Sequence, residues 1–203
     1  MPLVRGGYPV NHAIRKFTGN QPNVQQANLA PRTNQEWLGA ATTDSAAGLA
    51  AGVATAVAVP VEVGDVIQRV TVLVGATAAG TPTNSYAALY SGLAVPALLS
   101  QSVSGGAVAT PAAGAAFTFA LSTPVTVTGV NAPNGYLYVS VMVAATTVPS
   151  VGSVPIAASL GYKAFTNSPL FLAASHGAAL TTAAPATITG QTAAAAAPIV
   201  YLT

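Results

Sequence analysis

The sequence predicts an all-β protein: an antiparallel β-sandwich of jelly-roll type with an extended N-terminal arm. Two observations point to the sandwich. Short runs rich in Val, Tyr, Phe, Leu and Thr recur at roughly 8 to 15 residues and are stopped by Gly, Pro, Asn or Ser, and the best of these runs alternate with a period of two. A third observation, a change of composition near residue 40, predicts the arm.

Residues 1–40 differ from the rest of the chain in charge and in pattern. They hold four of the six basic residues against Glu36 alone, and four prolines interrupt them without any regular hydrophobic period. We therefore divide the chain into an anchoring arm, residues 1–40, and a β-sandwich domain, residues 41–203. Such an arm either packs along its own domain or binds another chain, and we favour another chain.

The clearest pattern runs over residues 57–74. Valines at 57, 59, 61 and 63 fall on one face of an extended chain, Gly64-Asp65 interrupts the run, and a second apolar run covers residues 66–74. This predicts two strands joined by a tight turn.

Residues 135–144, GYLYVSVMVA, give the second-best alternation, and Asn134-Gly135 in front of them is a hairpin-turn signal. Residues 75–84 are predicted to be a loop. Further strands are predicted over residues 85–90, 97–103, 116–121, 124–128, 169–173 and 199–202.

Charged residues make up only 5% of the chain, against about 25% in an average protein. No Asp, Glu, Lys or Arg occurs between Arg69 and Lys163. A free monomer would usually carry more charge for solubility. The low content of charged residues therefore favours a permanent assembly in which neighbouring chains cover part of the surface.

Composition also argues against several functions. A net charge of +2 cannot form the basic surface that nucleic acid requires. The longest uncharged stretch, residues 45–61, is broken by Gly48, Gly52 and Pro60, so we expect no membrane span. The first twelve residues lack the apolar core of a secretory signal, and we expect none.

Catalytic and metal-binding chemistry find little support. The chain has no cysteine, four carboxylates and two histidines. Glu62 and Asp65 bracket a turn and are predicted to be solvated, and Ser175-His176 has no nucleophile elbow and no identifiable carboxylate. We predict no enzyme, no cofactor and no metal site.

Aromatic residues offer one binding alternative. Tyr136 and Tyr138 alternate with apolar residues in a predicted strand, where they could stack on a sugar ring or pack in a core or interface. Packing is the simpler interpretation.

Residues 57–150 resemble a β-sandwich module of tailed-bacteriophage virion proteins. The resemblance rests on a Val-Gly-Asp turn, a Thr-Pro-Thr-Asn segment and a Gly-Tyr-Leu-Tyr-Val strand that leads into Ala-Ala-Thr-Thr-Val-Pro. Such modules occur in capsid decoration proteins, head fibres, minor structural proteins and tail proteins, and they bring no catalytic residues. The composition also resembles that of actinobacteriophage proteins.

The resemblance implies a structural protein on the capsid surface of the virion, anchored by its arm to the major capsid protein or, as the second choice, to a tail protein. We expect homo-oligomers, with a trimer as the first candidate. The alternative is a tail or fibre module that binds a host surface glycan through Tyr136 and Tyr138. The arm residues expected to bind the partner are Arg5, Tyr8, Arg15, Lys16, Phe17, Arg32 and Trp37.

Overall fold

A computed structural model describes residues 32–34, 43–45, 49–103, 114–155 and 172–203, all within the compact unit Pro31–Thr203. These ranges contain strands and turns and no helix, so the all-β prediction is confirmed. Most of the predicted arm, and the strand predicted over residues 169–173 apart from Leu172 and Ala173, lie outside the described residues. Arg32–Asn34 form the described piece of the predicted arm.

Thirteen strands occur in the described residues. Their bounds are β1 (Arg32–Thr33), β2 (Thr43–Ser45), β3 (Ala54–Pro60), β4 (Val66–Leu73), β5 (Gly80–Tyr90), β6 (Leu98–Gln101), β7 (Ala116–Thr126), β8 (Tyr136–Thr147), β9 (Val151–Pro155), β10 (Ala173–His176), β11 (Thr192–Ala193), β12 (Ala196–Pro198) and β13 (Val200–Leu202).

The strands form three antiparallel sheets. A six-stranded sheet has the order β11-β10-β3-β8-β5-β6, a four-stranded sheet has the order β1-β13-β4-β7, and a small sheet has the order β12-β9-β2. Every named strand pair is antiparallel. The arrangement is a β-sandwich, as predicted.

The main core lies between the six-stranded and four-stranded sheets. Val57 and Val59 of β3 and Leu137 and Val139 of β8 meet Val70 of β4 there, and all five are fully buried. The alternation seen in the sequence therefore does place the β3 valines on one buried face, because successive side chains of a strand point to opposite sides of the sheet.

The opposite face of the six-stranded sheet is buried as well. Alanines such as Ala56 of β3 and Ala88 of β5 share this face with tyrosines of β5 and β8, and the chain that follows β10 covers them with Ala184 and Ile188. A sheet covered on both faces loses the apolar-in, polar-out pattern. For this reason β3 reads Ala-Val-Ala-Val and has no polar face.

Both turns singled out in the sequence are tight turns, but neither joins paired strands. Gly64, with φ +98, turns the chain from β3 in the six-stranded sheet to β4 in the four-stranded sheet, and Gly135, with φ +74, stands between β7 and β8, which also belong to different sheets. The hairpin expected at Asn134-Gly135 is therefore wrong. Positive-φ glycine permits a sharp change of direction but does not choose the next strand's partner.

Two strands extend beyond their predicted ends. Gly80–Tyr90 is one strand, so the loop predicted through residue 84 is wrong in its second half; its backbone pairs with β8, and a bulge between Pro82 and Asn84 accommodates the proline. The runs predicted over residues 116–121 and 124–128 form the single strand β7. The predicted closing strand is present as β13.

Candidate functional site

The described end of the predicted arm is joined to the four-stranded sheet. Arg32 pairs with Leu202 and Thr33 pairs with Tyr201, so that β1 becomes an edge strand beside β13. The described piece of the predicted arm, Arg32–Asn34, thus lies within the compact unit Pro31–Thr203.

The Arg32 side chain points into the domain and forms a bidentate ion pair. Its Nε donates to Asp65 Oδ2 and its Nη2 donates to Asp65 Oδ1, each at 2.8 Å, and Glu62 Oε2 lies 3.4 Å from Nη2. The side chains of Arg32 and Asp65 are each 6% exposed. A planar guanidinium with two parallel bonds to a carboxylate is the strongest geometry available to such a pair.

The turn between β3 and β4 prepares the carboxylate for this contact. Asp65 Oδ2 also accepts a hydrogen bond from the backbone N–H of Glu62 at 2.9 Å, and the Asp65 N–H donates to the Glu62 carbonyl. These hydrogen bonds within the turn orient the Asp65 carboxylate independently of its contact with Arg32. The prediction that Asp65 is solvated is wrong, because β1 covers it.

Burial and pairing act in opposite directions on the guanidinium. Burial alone lowers the pKa of Arg32, but the hydrogen bonds and negative charges of Asp65 and Glu62 more than compensate and raise it. Arg32 is therefore protonated at neutral pH. A buried cation with two carboxylates beside it is a fixed structural link.

Asn34 forms the second attachment of this segment. Its Nδ2 donates to the Pro198 carbonyl at 2.7 Å, and its Oδ1 accepts from the Val200 N–H at 3.0 Å. Beyond the last β1–β13 residue pair, the Asn34 side-chain amide thus makes the hydrogen bonds that a strand backbone would otherwise make. Asn34 is 1% exposed. Sequence analysis did not single out Asn34. Its signal was the Arg-x-Asn spacing, which puts both side chains on one face of a strand.

Charge elsewhere on the described surface is sparse. Among residues whose side chains the structure describes, four are ionised at neutral pH: Arg32, Glu62, Asp65 and Arg69. Three of these meet at the arm junction, and Arg69 is exposed. In the described part of the chain, three of the four ionised side chains therefore lie where β1 meets the turn between β3 and β4.

The predicted partner-binding residues have different outcomes. Arg32 is paired within its own chain with Asp65 and Glu62, and its binding to a partner stays a prediction. The remaining six lie outside the described residues: Arg5, Tyr8, Arg15, Lys16, Phe17 and Trp37.

The tyrosines proposed as a glycan platform are inside the domain. Tyr136 is 3% exposed and Tyr138 is fully buried, and their rings pack edge to face with centroids 5.4 Å apart. They belong to the second buried layer with Tyr86 and Tyr90. A sugar cannot reach them in this structure, whereas packing accounts for both.

A serine and a histidine do meet, but the serine is not Ser175. Ser140 Oγ lies 2.8 Å from His176 Nε2, and both residues are buried. Burial lowers the pKa of His176 to about 4, so the ring is neutral at physiological pH. Ser175 Oγ instead lies 2.7 Å from Thr192 Oγ1. The Ser140–His176 pair satisfies two polar groups inside an apolar layer.

An open cleft of about 490 Å³ lies beside β3, β10 and β11. Thr55, Ser175 and Thr192 contribute hydroxyl groups to its lining, among alanines and glycines. Within the described residues no cluster of His, Asp or Glu could hold a metal ion, and no helix is long and apolar enough to cross a membrane.

No known protein-family model matches this chain, and no curated protein matches it either. Within the described residues, the site with the most specific geometry is the junction of Arg32, Asn34 and Asp65, which fixes the Arg32–Asn34 segment to the rest of the domain.

Proposed function

We propose that this chain is a structural protein of a bacteriophage virion, a capsid decoration or minor capsid protein. Its β-sandwich is displayed on the particle surface, and the segment that precedes Arg32 binds the major capsid protein. The phage assignment rests on the resemblance of residues 57–150 to virion sandwich modules. The observation that carries the anchoring role is the buried attachment of Arg32 and Asn34 to the domain.

An arm that anchors the domain to a partner must itself be firmly attached to the domain. Any pull on the residues before Arg32 acts first on β1, which a bidentate ion pair and two amide hydrogen bonds hold to the sheet. These four contacts are all directional and buried, and they join the segment to the domain at two separate points.

The composition of the domain fits the same role. A described surface with Arg69 as its one exposed charged side chain has little with which to steer a charged substrate. Hydroxyl and apolar groups suit a surface that is covered by neighbouring copies or capsid subunits.

The alternative, a glycan-binding module of a tail or fibre, loses the residues on which it depended. Tyr136 and Tyr138 are buried, so this alternative now has no aromatic platform among the residues named for it. Capsid attachment remains the proposal.

Deletion of residues 1–30 tests the proposal while leaving Pro31–Thr203, a compact unit, complete. We expect the truncated protein to fold with an unchanged melting temperature and to be missing from purified phage particles when it replaces the full chain. Immunogold labelling in negative stain measures its presence and its position on head or tail. Particles that carry the truncated protein at the full-length level would refute the anchoring role.

A further inference from the structure

Exposed apolar side chains are concentrated at one end of the sandwich, which we call the loop end. The loop end consists of residues 61–66, 91–97 and 127–135, that is, the connections β3–β4, β5–β6 and β7–β8 with the first residue of β4. Seven large apolar side chains are exposed within the described residues, and five of them lie here: Val63, Val66, Leu93, Val95 and Val130. Single exposed apolar residues are ordinary, but a group of them at one end of a protein marks an interaction surface.

Backbone hydrogen bonds join the three connections of the loop end to one another. The Gly64 N–H donates to the Val127 carbonyl at 2.9 Å, which links the first connection to the third. The Gly92 N–H donates to the Asn131 carbonyl at 2.8 Å, which links the second connection to the third. The exposed side chains therefore stand on one continuous layer of backbone.

Side-chain hydrogen bonds fix the shape of this layer. The Thr128 N–H donates to Asn131 Oδ1 at 2.8 Å, and the turn that this bond closes carries Val130, which is 81% exposed. The Ala97 N–H donates to Ser91 Oγ at 2.9 Å and closes the second connection in the same way. Such a preorganised surface loses little conformational entropy when a partner covers it.

The loop end offers a partner almost no charge. Its two ionisable residues are Glu62 and Asp65. Asp65 is buried in its ion pair with Arg32, and Glu62 lies 3.4 Å from the same guanidinium. The centres of protein interfaces are depleted in charged residues in the same way, so this surface suits an apolar, uncharged patch on another protein.

The composition of the loop end favours a protein over a lipid bilayer as the partner. Loops and helices that bind at a bilayer surface use Trp, Tyr or Phe at the interface and Lys or Arg toward anionic headgroups. Residues 61–66, 91–97 and 127–135 contain none of these five residue types.

The segment that precedes Arg32 is joined to the domain at this same end. β1 runs antiparallel to β13 and begins at Arg32, whose side chain contacts Glu62 and Asp65 of the β3–β4 connection. In the proposed function the residues before Arg32 bind the major capsid protein. The loop end is then the part of the domain closest to the point from which that attachment leaves.

We propose that the loop end is a second contact with the particle, packing on an apolar, uncharged patch of the major capsid protein. This inference rests on the proposed function and adds to it the surface of the domain that faces the capsid. Five side chains make an interface at the small end of the range, below about 1,200 Å², which alone gives weak binding. Linkage to a second attachment raises the effective concentration, so a weak contact of this kind is sufficient to orient the domain.

Charge substitutions in the full-length protein test the contact. Val63→Asp and Val130→Asp each place a carboxylate on the loop end, and Val63→Lys places a cation there. Val103→Asp is the matched control, because Val103 is 76% exposed, as Val63 is 71% exposed, but follows the far end of β6. Co-sedimentation with purified phage particles that lack this protein measures the dissociation constant of each variant, and melting temperatures confirm that all four fold.

We expect the three loop-end variants to bind particles at least roughly ten-fold more weakly than the unmodified chain, because an ionised group would be buried against an apolar surface. Val103→Asp should bind as the unmodified chain does. The inference is overturned if Val63→Asp and Val130→Asp bind normally, or if Val103→Asp loses as much affinity as they do. Normal binding of Val63→Lys beside weak binding of Val63→Asp would also overturn it, since charge repulsion would then explain the loss.

Two further outcomes separate this inference from its alternatives. Sedimentation of the unmodified chain with phosphatidylcholine vesicles, abolished by Val63→Asp, would replace the capsid by a bilayer as the partner and overturn the inference. Failure of the unmodified chain to bind particles at all would refute the proposed function, and this inference with it. Binding of the unmodified chain together with normal binding of the loop-end variants would refute this inference alone.

Discussion

Asp65 and Arg32 lie 33 positions apart in the chain, and the burial of each side chain is explained by its ion pair with the other. A carboxylate next to glycine in a turn is usually exposed, and an arginine in a basic, proline-rich segment usually faces solvent or a partner. Their burial together shows how one strand added to a sheet edge converts two surface residues into an interior ion pair. Glu62, 33% exposed and 3.4 Å from the guanidinium, contributes from the rim.

Arg32→Ala tests the strength of this link. The substitution leaves Asp65 buried without its cation, and we expect a loss of roughly 3–5 kcal/mol in the free energy of unfolding. Glu62→Gln is the matched control, and because Glu62 is partly exposed, its change should stay below about 1 kcal/mol. Urea denaturation at pH 7 measures both. Equal effects of the two substitutions would contradict the assignment of Asp65 as the principal partner.

His176 makes the stability of the domain depend on pH. Its pKa is about 4 in the folded protein and about 6.5 when unfolded, so between these values the unfolded chain binds more protons than the folded chain. Stability should therefore fall as the pH decreases from 6.5 to 4, by roughly 3 kcal/mol for this group. His176→Gln keeps a polar partner for Ser140 and should flatten the profile in this window. Denaturation midpoints of both proteins at half-unit pH steps give the comparison; parallel profiles would exclude His176 as the cause.

At the scale of the element, the six-stranded sheet explains the unusual abundance of alanine. Its two faces are packed differently: valines and leucines of β3 and β8 fill the space against the four-stranded sheet, while alanines on the other face leave room for tyrosine rings. Tyr90 Oη donates to the Pro185 carbonyl at 2.8 Å, which fixes the covering segment on this face. The small alanine side chains thus provide the space that the tyrosine rings occupy in this layer.

Ala88→Leu tests that complementarity. Ala88 is fully buried on β5, opposite Ser140 of β8, and three added carbons would have to displace neighbouring side chains. We expect a loss of roughly 1–3 kcal/mol. Ala120→Leu on β7 is the control, because Ala120 is exposed on the outside of the four-stranded sheet and should change stability by less than about 0.5 kcal/mol. Thermal and urea unfolding report both, and a neutral Ala88→Leu would show that the layer has spare volume.

At the scale of the whole molecule, the chain repeatedly crosses between sheets. It passes from β3 to β4, back to β5, and from β7 to β8, changing sheet each time, and Asn34, near the start of the compact unit Pro31–Thr203, contacts Val200, 166 positions away. Such connections give few local contacts, so the core forms only when distant segments come together. The contacts of Asn34 with Pro198 and Val200 at the arm junction are among the longest-range of these in sequence.

The sequence by itself determined the fold class, the position of the best strands and the tight turns at Gly64 and Gly135. These features follow from side-chain alternation and from positive-φ glycine, both of which act over a few residues. Tertiary structure alone decided which strands pair, that Asp65 is buried by Arg32, and that Tyr136 and Tyr138 lie in an interior layer. Pairing and burial depend on residues far apart in the chain, such as Asn34 and Val200, and no local pattern encodes which distant surface will cover a given side chain.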